Sequence, residues 1–429
     1  MGDFRSFLKL MIYVPSRMGQ LNRRALLRQL QKLGVASRAD LAKSLGMSQP
    51  TAGKIVDELL GMDVLEEVAL PLGEAGGRNG GGSVGGPLGR PGRRLRLNES
   101  RAKFLGIQLG VKTTTLAGLT LGIADEDRWL VAFDVGEEEP QPAKVWEKEL
   151  RRAAKSLGSE NYLGVLLSVP GVVDHAANRI LFSPNTHWTE KTDLAAVVGR
   201  VWNAPVLLVQ EERALALGHH LANPGCDDFL LVDFGEGVGG AIIVEGKPLG
   251  NPLPISGEIG HTPVPGNARP CGCGAVGCVE TLVSVRGLLK SFAAAAPAAE
   301  HSWAALSDAI ARHGIPPWLA QTLDTAAAVI AGALNVLGLR RVVITGSLTE
   351  LPQDVMQYLS HAVQNGAMWA RFGQVECLSA PRRRTAGLVA VGIDRLVVPD
   401  HKERHAAASE TAHARHSRPH KINKTSANI

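Results

Sequence analysis

His261, Cys271, Cys273 and Cys278 offer one imidazole and three thiols within eighteen residues. That set fills the tetrahedral shell of Zn²⁺ and leaves no position for a substrate water, so the chemistry it supports is structural. A Cys-x-Cys pair makes a poor disulfide. Metal holding in a reduced, cytosolic chain fits the cysteine usage better. Cys226 and Cys377 stand alone and read as small buried side chains. Glu258 and Glu280 flank the cluster as two carboxylates that the metal does not need. The metal is therefore expected to shape a loop that presents these acids to something else. A surface carboxylate in a turn is the bland alternative for Glu258, weakened by its place three residues before His261.

The elements that must position these residues follow from length and pattern. At 429 residues the chain is too long for one ordinary domain. An apolar content of 45% with only 4% aromatics points to helices packed on sheets rather than to a β-sandwich. No apolar run of membrane-spanning length is expected. From Phe104 onward apolar strand-like runs alternate with helical ones: 104–109, 163–168, 205–210, 229–234, 241–244 and 341–345 as strands, 318–338 as a helix. The fold class is thus α/β. Residues 1–17 read as an N-terminal extension, 99–398 as the body, and 399–429 as a disordered tail whose five His are solvated rather than metal-bound.

Residues 18–98 read as a separate head. Residues 1–98 carry 15 Lys and Arg against 8 Asp and Glu, whereas the middle of the chain is mildly acidic. A basic head on an acidic body suggests a polyanion partner for the head alone. Leu21, Leu26, Leu27 and Leu30 recur at helical spacing. Ser37 caps a second helix, and after a turn at Gly46-Met47 Ser48 caps a third with Pro50 in its first turn. Helix, short turn, helix is the spacing of a helix-turn-helix whose second helix enters the major groove. Ser48, Gln49, Thr51 and Lys54 are the candidates to touch DNA there, with Arg38 beside them. Two short strands, 64–70 and 93–97, enclose the Gly-rich 73–92 and make a wing with a flexible tip. Arg90, Arg93 and Arg94 at its return could reach phosphate or the minor groove. A three-helix packing module without nucleic acid is the competing reading.

Several runs resemble the ROK family of repressors and sugar kinases, from about Asn22 to Asp394. In the head these are Leu21-Asn22-Arg23, Ser37 to Ala42, Gln49-Pro50-Thr51 and residues 89–94. In the body they are Ser168 to Asp174, Ser183-Pro184-Asn185, Gly235 to Gly240, Gly257 to His261 and the Cys cluster. The resemblance implies an actin-like (ribonuclease H-like) two-lobed body with a sugar in the interlobe cleft, behind a winged helix-turn-helix. It implies that His261 is both metal ligand and neighbour of a sugar-contacting Glu258. Carboxylates accept from two sugar hydroxyls at once through charge-assisted bonds, which suits Glu258 and Glu280. Gly171 allows a close backbone approach.

The family's kinases carry Asp-x-Gly-x-Thr/Ser for Mg²⁺ and phosphate; here the matching run is Gln108-Leu109-Gly110-Val111-Lys112. Their second phosphate loop, Gly-Thr-Gly, is Gly235-Glu236-Gly237, where a carboxylate would repel a triphosphate. Their Glu-Asn-Asp, with its base and sugar ligands, aligns with Gln210-Glu211-Glu212, so Glu211 and Glu212 are candidate ligand contacts with displaced oxygens. No catalytic residue is assigned. The expectation is a cytoplasmic, sugar-responsive repressor with a structural Zn²⁺. It would bind operator DNA and a sugar or sugar phosphate as a homodimer or higher oligomer, away from any membrane. The alternatives are a sugar kinase with an appended head, or a ligand-blind DNA binder whose body only dimerises.

Overall fold

The computed structural model describes residues 15–68, 93–122, 129–135, 139–157, 161–250 and 255–398. Arg90, the Gly-rich 73–92 and the tail 399–429 lie outside them, as does most of the 1–17 extension. Two compact units result, one comprising the chain up to Asn98 and the segment from Ile393, the other Glu99–Gly392.

In the first unit, α1 (Pro15–Leu33) buries Leu26, Leu27 and Leu30. A two-residue strand, β1 (Ala36–Ser37), leads into α2 (Arg38–Ser44). Ser37 and Asp40 form a reciprocal capping box: the Ser37 hydroxyl accepts from the Asp40 N–H at 3.1 Å, and the Asp40 carboxylate accepts from the Ser37 N–H at 3.1 Å. Gly46, at φ 62°, makes the turn into α3 (Gln49–Gly61), whose cap is Ser48. Ala52, Ile55, Val56 and Leu59 form the buried face of α3, and Leu60 beside them is half-buried. The wing strands are β2 (Leu65–Val68) and β3 (Arg94–Leu97), and β1 joins them in the order β1-β3-β2. The alternation on β3 turns Leu95 and Leu97 inward and Arg94 and Arg96 outward. β1 is too short to show any period in sequence. The turn from Ile393, anticipated as the end of the body, belongs to this unit, where Asp394 meets Arg24 at 3.2 Å.

The second unit holds two five-stranded sheets, each with its own core. The first contains β4 (Phe104–Leu109), β5 (Thr113–Leu119) and β6 (Val131–Asp134), followed by α4 (Pro142–Leu157). Next come β7 (Gly164–Val169) and a small hairpin, β8 (Val172–Asp174) with β9 (Arg179–Phe182), then α5 (Leu194–Val201) and β10 (Val206–Gln210). Its strand order is β10-β7-β4-β5-β6, with β10, β7 and β4 parallel. Trp146 and Leu150 of α4 and Val198 of α5 pack on it. α6 (Glu211–Ala222) leads to the second sheet, whose β11 (Phe229–Phe234), β12 (Val238–Val244) and β13 (Lys247–Pro248) form a meander. After the cysteine loop come α7 (Glu280–Val283), α8 (Val285–Ala295), α9 (Trp303–His313) and α10 (Pro317–Leu337). β14 (Arg341–Gly346), α11 (Gln353–Gly366), β15 (Glu376–Ser379) and α12 (Arg384–Gly392) complete the unit. The order here is β13-β12-β11-β14-β15.

Two expectations need correction. β12 starts at Val238 rather than Ala241, because Gly239 and Gly240 pair in the ladder with Asp233 and Val232. Only Gly235-Glu236-Gly237 is left as the turn, closed by a bond from the Gly235 N–H to the Gly237 carbonyl at 2.9 Å. Second, α10 is long and apolar enough to cross a membrane by length and composition. Its Leu319, Leu323, Ile330 and Leu334 are buried against the second sheet, as a core helix requires.

Candidate functional site

The four metal-ligand candidates converge. His261 ends a short 3₁₀ turn, Ile259–His261, while the three Cys sit on a loop tied by the bridges Pro263–Cys278 and Pro270–Val276. One donor atom from each of the four lies within 4.8 Å of the others. His261 Nδ1 is 3.5 Å from Cys271 Sγ, and Cys273 Sγ is 3.6 Å from Cys278 Sγ. Bonds of ~2.0 Å to nitrogen and ~2.3 Å to sulfur in a tetrahedron would set these pairs about 3.5 and 3.8 Å apart. The donor set and its spacing fit a metal ion. Burial and the neighbouring thiols push Cys278 up to about 12, a penalty on the thiolate that a bound cation removes.

The other nitrogen of His261 connects this cluster to the cleft: Nε2 stands 3.7 Å from Glu258 Oε2. Burial raises the Glu258 carboxyl, with Glu280 adding to it and His261 opposing. Glu280 opens α7 and is almost fully buried; its Oε2 accepts the Val238 N–H at 2.8 Å. Across from them, Gly171 has φ 84°, and a Cβ there would lie 2.4 Å from the Phe182 carbonyl, so only glycine fits. Gly272 is equally confined, since a Cβ there would lie 2.3 Å from the Pro184 carbonyl. The cysteine loop is thereby seated against Pro184-Asn185 of the first lobe. Gly171, Asn185, Glu212, Glu258, His261 and Glu280 all line one cavity of about 170 Å³. Glu211 lines it too, so the structure brings together every ligand-contact candidate.

Their states differ. Glu211 is bound by the guanidinium of Arg384, which is only 3% exposed. The Gln108 amide stands 3.5 Å from the same carboxylate. Glu212 is packed so tightly against Gly239 that a Cβ there would lie 2.4 Å from its carboxylate. Burial pushes the Glu212 carboxyl well up, and the charges of Glu211, Glu258 and Asp233 add to it. Lys112 and Glu236 are exposed.

Three cleft residues carry no expectation above. Asp233 is the penultimate residue of β11, and Arg382 grips both its oxygens at 2.8 Å while Thr345 donates to it at 2.7 Å. Burial works against its charge, but Arg382 and Thr345 hold the carboxyl below its ordinary value. The Arg382 guanidinium lies between Gly235 and Gly346, 2.7 and 2.6 Å from the Cβ positions they lack. A lone Asp in the apolar run 229–234 and the run Arg382-Arg383-Arg384 mark Asp233 and Arg382 in sequence, and Thr345 lies in the run Ile344-Thr345-Gly346-Ser347, a partial match to the family's adenosine-side motif. Nothing in sequence pairs residues 149 positions apart.

In the first unit, Ser48, Gln49, Thr51 and Lys54 form the exposed face at the start of α3. Ser48 and Thr51 also engage each other at 2.8 Å, so part of their hydrogen-bonding capacity serves the cap. Arg38 pairs with Asp57 at 2.8 Å, and Arg93 with Glu67. Among the described residues Lys54 and Arg94 form no ion pair within 4.0 Å.

A family model described as ROK family matches residues 105–391. The xylose repressor of Caldicellulosiruptor bescii is 26% identical over 279 residues, 63% of this chain and 65% of that protein. The glucokinase of Halalkalibacterium halodurans is 28% identical over 219 residues, 49% of this chain and 65% of that protein. The chain thus spans less than two thirds of the length of either. A solved ROK family transcriptional regulator, a homologue of the E. coli MLC protein, superposes with a TM-score of 0.68 at 20% identity. The superposition covers 88% of this chain and 96% of that one, so the two share a fold.

Proposed function

The chain belongs to the ROK family, and from that premise we propose that it is a cytoplasmic, sugar-responsive repressor of transcription, acting as a homodimer on operator DNA. The observation that carries this is His261, which faces the thiol cluster with one nitrogen and Glu258 with the other. A metal in the cluster, Zn²⁺ by its ligands, would hold the loop in shape and do no chemistry on a substrate. His261, Cys271, Cys273 and Cys278 would be its ligands. Glu258 and Glu280 would accept hydrogen bonds from sugar hydroxyls, Asn185 would donate and accept, and Gly171 would let the ring approach the backbone.

The cleft favours binding over phosphoryl transfer. Glu211 is neutralised by Arg384, Glu212 is held towards its protonated form, and Gln108 supplies no metal-binding carboxylate. Arg382 fills the space between the Gly235 turn and Gly346. Gln49, Thr51 and Lys54 would meet the major groove, and Arg94 the phosphates beside it. Ligand binding would favour one arrangement of the cleft and so change operator affinity.

The test begins with DNA selected from a random library by the full-length protein. Its affinity is then measured by fluorescence anisotropy with and without xylose, glucose and N-acetylmannosamine. The expected result is sequence-specific binding that one of these sugars, or its phosphate, changes by about 5-fold or more. Steady ATP-dependent phosphorylation of a sugar would replace this reading with the kinase one. Specific DNA binding indifferent to every sugar would leave a ligand-blind repressor.

A further inference from the structure

The inner cavity, at about 170 Å³, is smaller than the roughly 300–1,000 Å³ of ligand pockets. It continues outward: Val111, Pro184, Asn185 and Glu280 line both it and a second cavity of about 750 Å³. The chemistry changes along the way. Carboxylates dominate the inner wall, whereas Lys112, Arg269, Arg286 and Lys290 line the outer one.

Among the described residues no acid is paired with these four cations. Arg269 donates to the carbonyls of Thr281 and Gly287, at 2.8 and 3.2 Å, and to the Ser291 hydroxyl at 2.9 Å, all uncharged acceptors. Arg286 donates across the cleft to the Asn185 side-chain oxygen at 2.8 Å, again uncharged. Lys290 lies one turn further along the same face of α8, and Lys112 projects from the turn between β4 and β5. Among the described residues none of the four forms an ion pair within 4.0 Å. Of the acids at this level, Asp134 already accepts from the Thr113 hydroxyl at 2.6 Å, and Glu280 turns inward to the Val238 N–H. Glu139 is the remaining one among the described residues, and His187 is engaged by Glu190.

Building on the sugar-sensor reading, we propose that the outer cavity is a subsite for an anionic substituent, so that the effector is a sugar bearing a phosphate or carboxylate, its hydroxyls at Glu258 and Glu280 and its anion among Lys112, Arg286 and Lys290. An anion there competes with Asn185 for Arg286. The cross-cleft bond between the two lobes thus becomes sensitive to the ligand's charge. Phosphate and carboxylate share this chemistry and are separated by experiment.

Calorimetric titrations of the metal-loaded, full-length protein would compare xylose with xylose 5-phosphate, glucose with glucose 6-phosphate and with glucuronate, and N-acetylmannosamine with its 6-phosphate. At least one charged member should bind about tenfold or more tighter than its neutral parent at low salt, with the advantage shrinking at 0.5 M salt. The double variant Lys112→Gln/Lys290→Gln should lose most of that advantage. Both positions are exposed, so folding is not at stake, and circular dichroism checks it. The preferred substituent tells phosphate from carboxylate. Neutral sugars binding as tightly as all their charged partners would overturn the subsite and leave the sensor reading standing. So would a double variant that keeps the full advantage. Failure of every sugar to bind would remove the sensor reading, and this one with it.

Discussion

Removing Arg384 should expose how much of the cleft rests on one buried ion pair. Arg384 is 3% exposed and Glu211 17%. Arg384→Met keeps the length and apolar stem of the side chain but leaves the Glu211 carboxylate with the Gln108 amide, at 3.5 Å, and a second carboxyl on Glu212 beside it. Stranding one member of a buried pair costs about 3–5 kcal/mol, whereas replacing both by neutral groups is often close to neutral. For Glu99–Gly392, an unfolding entropy of ~2.1 cal/mol/K per residue sums to about 0.6 kcal/mol/K, so the loss corresponds to a Tm drop of about 5–8 °C. Arg384→Met/Glu211→Gln should recover most of it. Scanning calorimetry on the parent and these two variants measures both effects. A drop under about 2 °C for Arg384→Met, or a double variant no more stable than the single one, would refute the assignment of the stability to this pair.

Cys273→Ser should lower bound metal well below one per chain by elemental mass analysis and weaken sugar binding through the Glu258 loop; metal content held at one would remove Cys273 from the ligands. Lys54→Ala with Arg94→Ala should reduce the slope of log K against log salt by about 1.8, at ~0.9 per phosphate contact; an unchanged slope would remove both from the phosphate contacts. Glu212 has a folded pKa raised above its unfolded value by burial. Its contribution to stability is therefore complete below the unfolded value and lost as pH rises towards the folded one. Glu212→Gln should accordingly lose less stability than the parent between pH 5 and 8 in urea titrations, and equal losses would contradict the buried, proton-binding state.

Much of the molecule was legible from residue pattern. The helix starts at Ser37 and Ser48 were readable because a cap is a local device, completed within three residues. The strands 104–109 and 229–234 were readable because both faces are buried and the runs are continuously apolar. β1 was not, since a strand of two residues owes its pairing to a distant partner, and β9 was not, since it is a short strand paired only with β8 in a local hairpin. The metal set was legible because metal coordination restricts residue type and spacing together.

What the sequence alone determined, then, is the fold class, the basic head and the presence of a metal-ligand quartet beside two spare acids. Only the tertiary structure decided which charges are spent and which are free. It set Arg384 on Glu211, Arg382 on Asp233 and Arg38 on Asp57, and left Lys112 and Lys290 facing an open cavity. An ion pair is chosen by proximity in space. Residues 149 and 173 positions apart carry no local mark of one another, so their pairing emerges only when the two lobes and their helices are assembled.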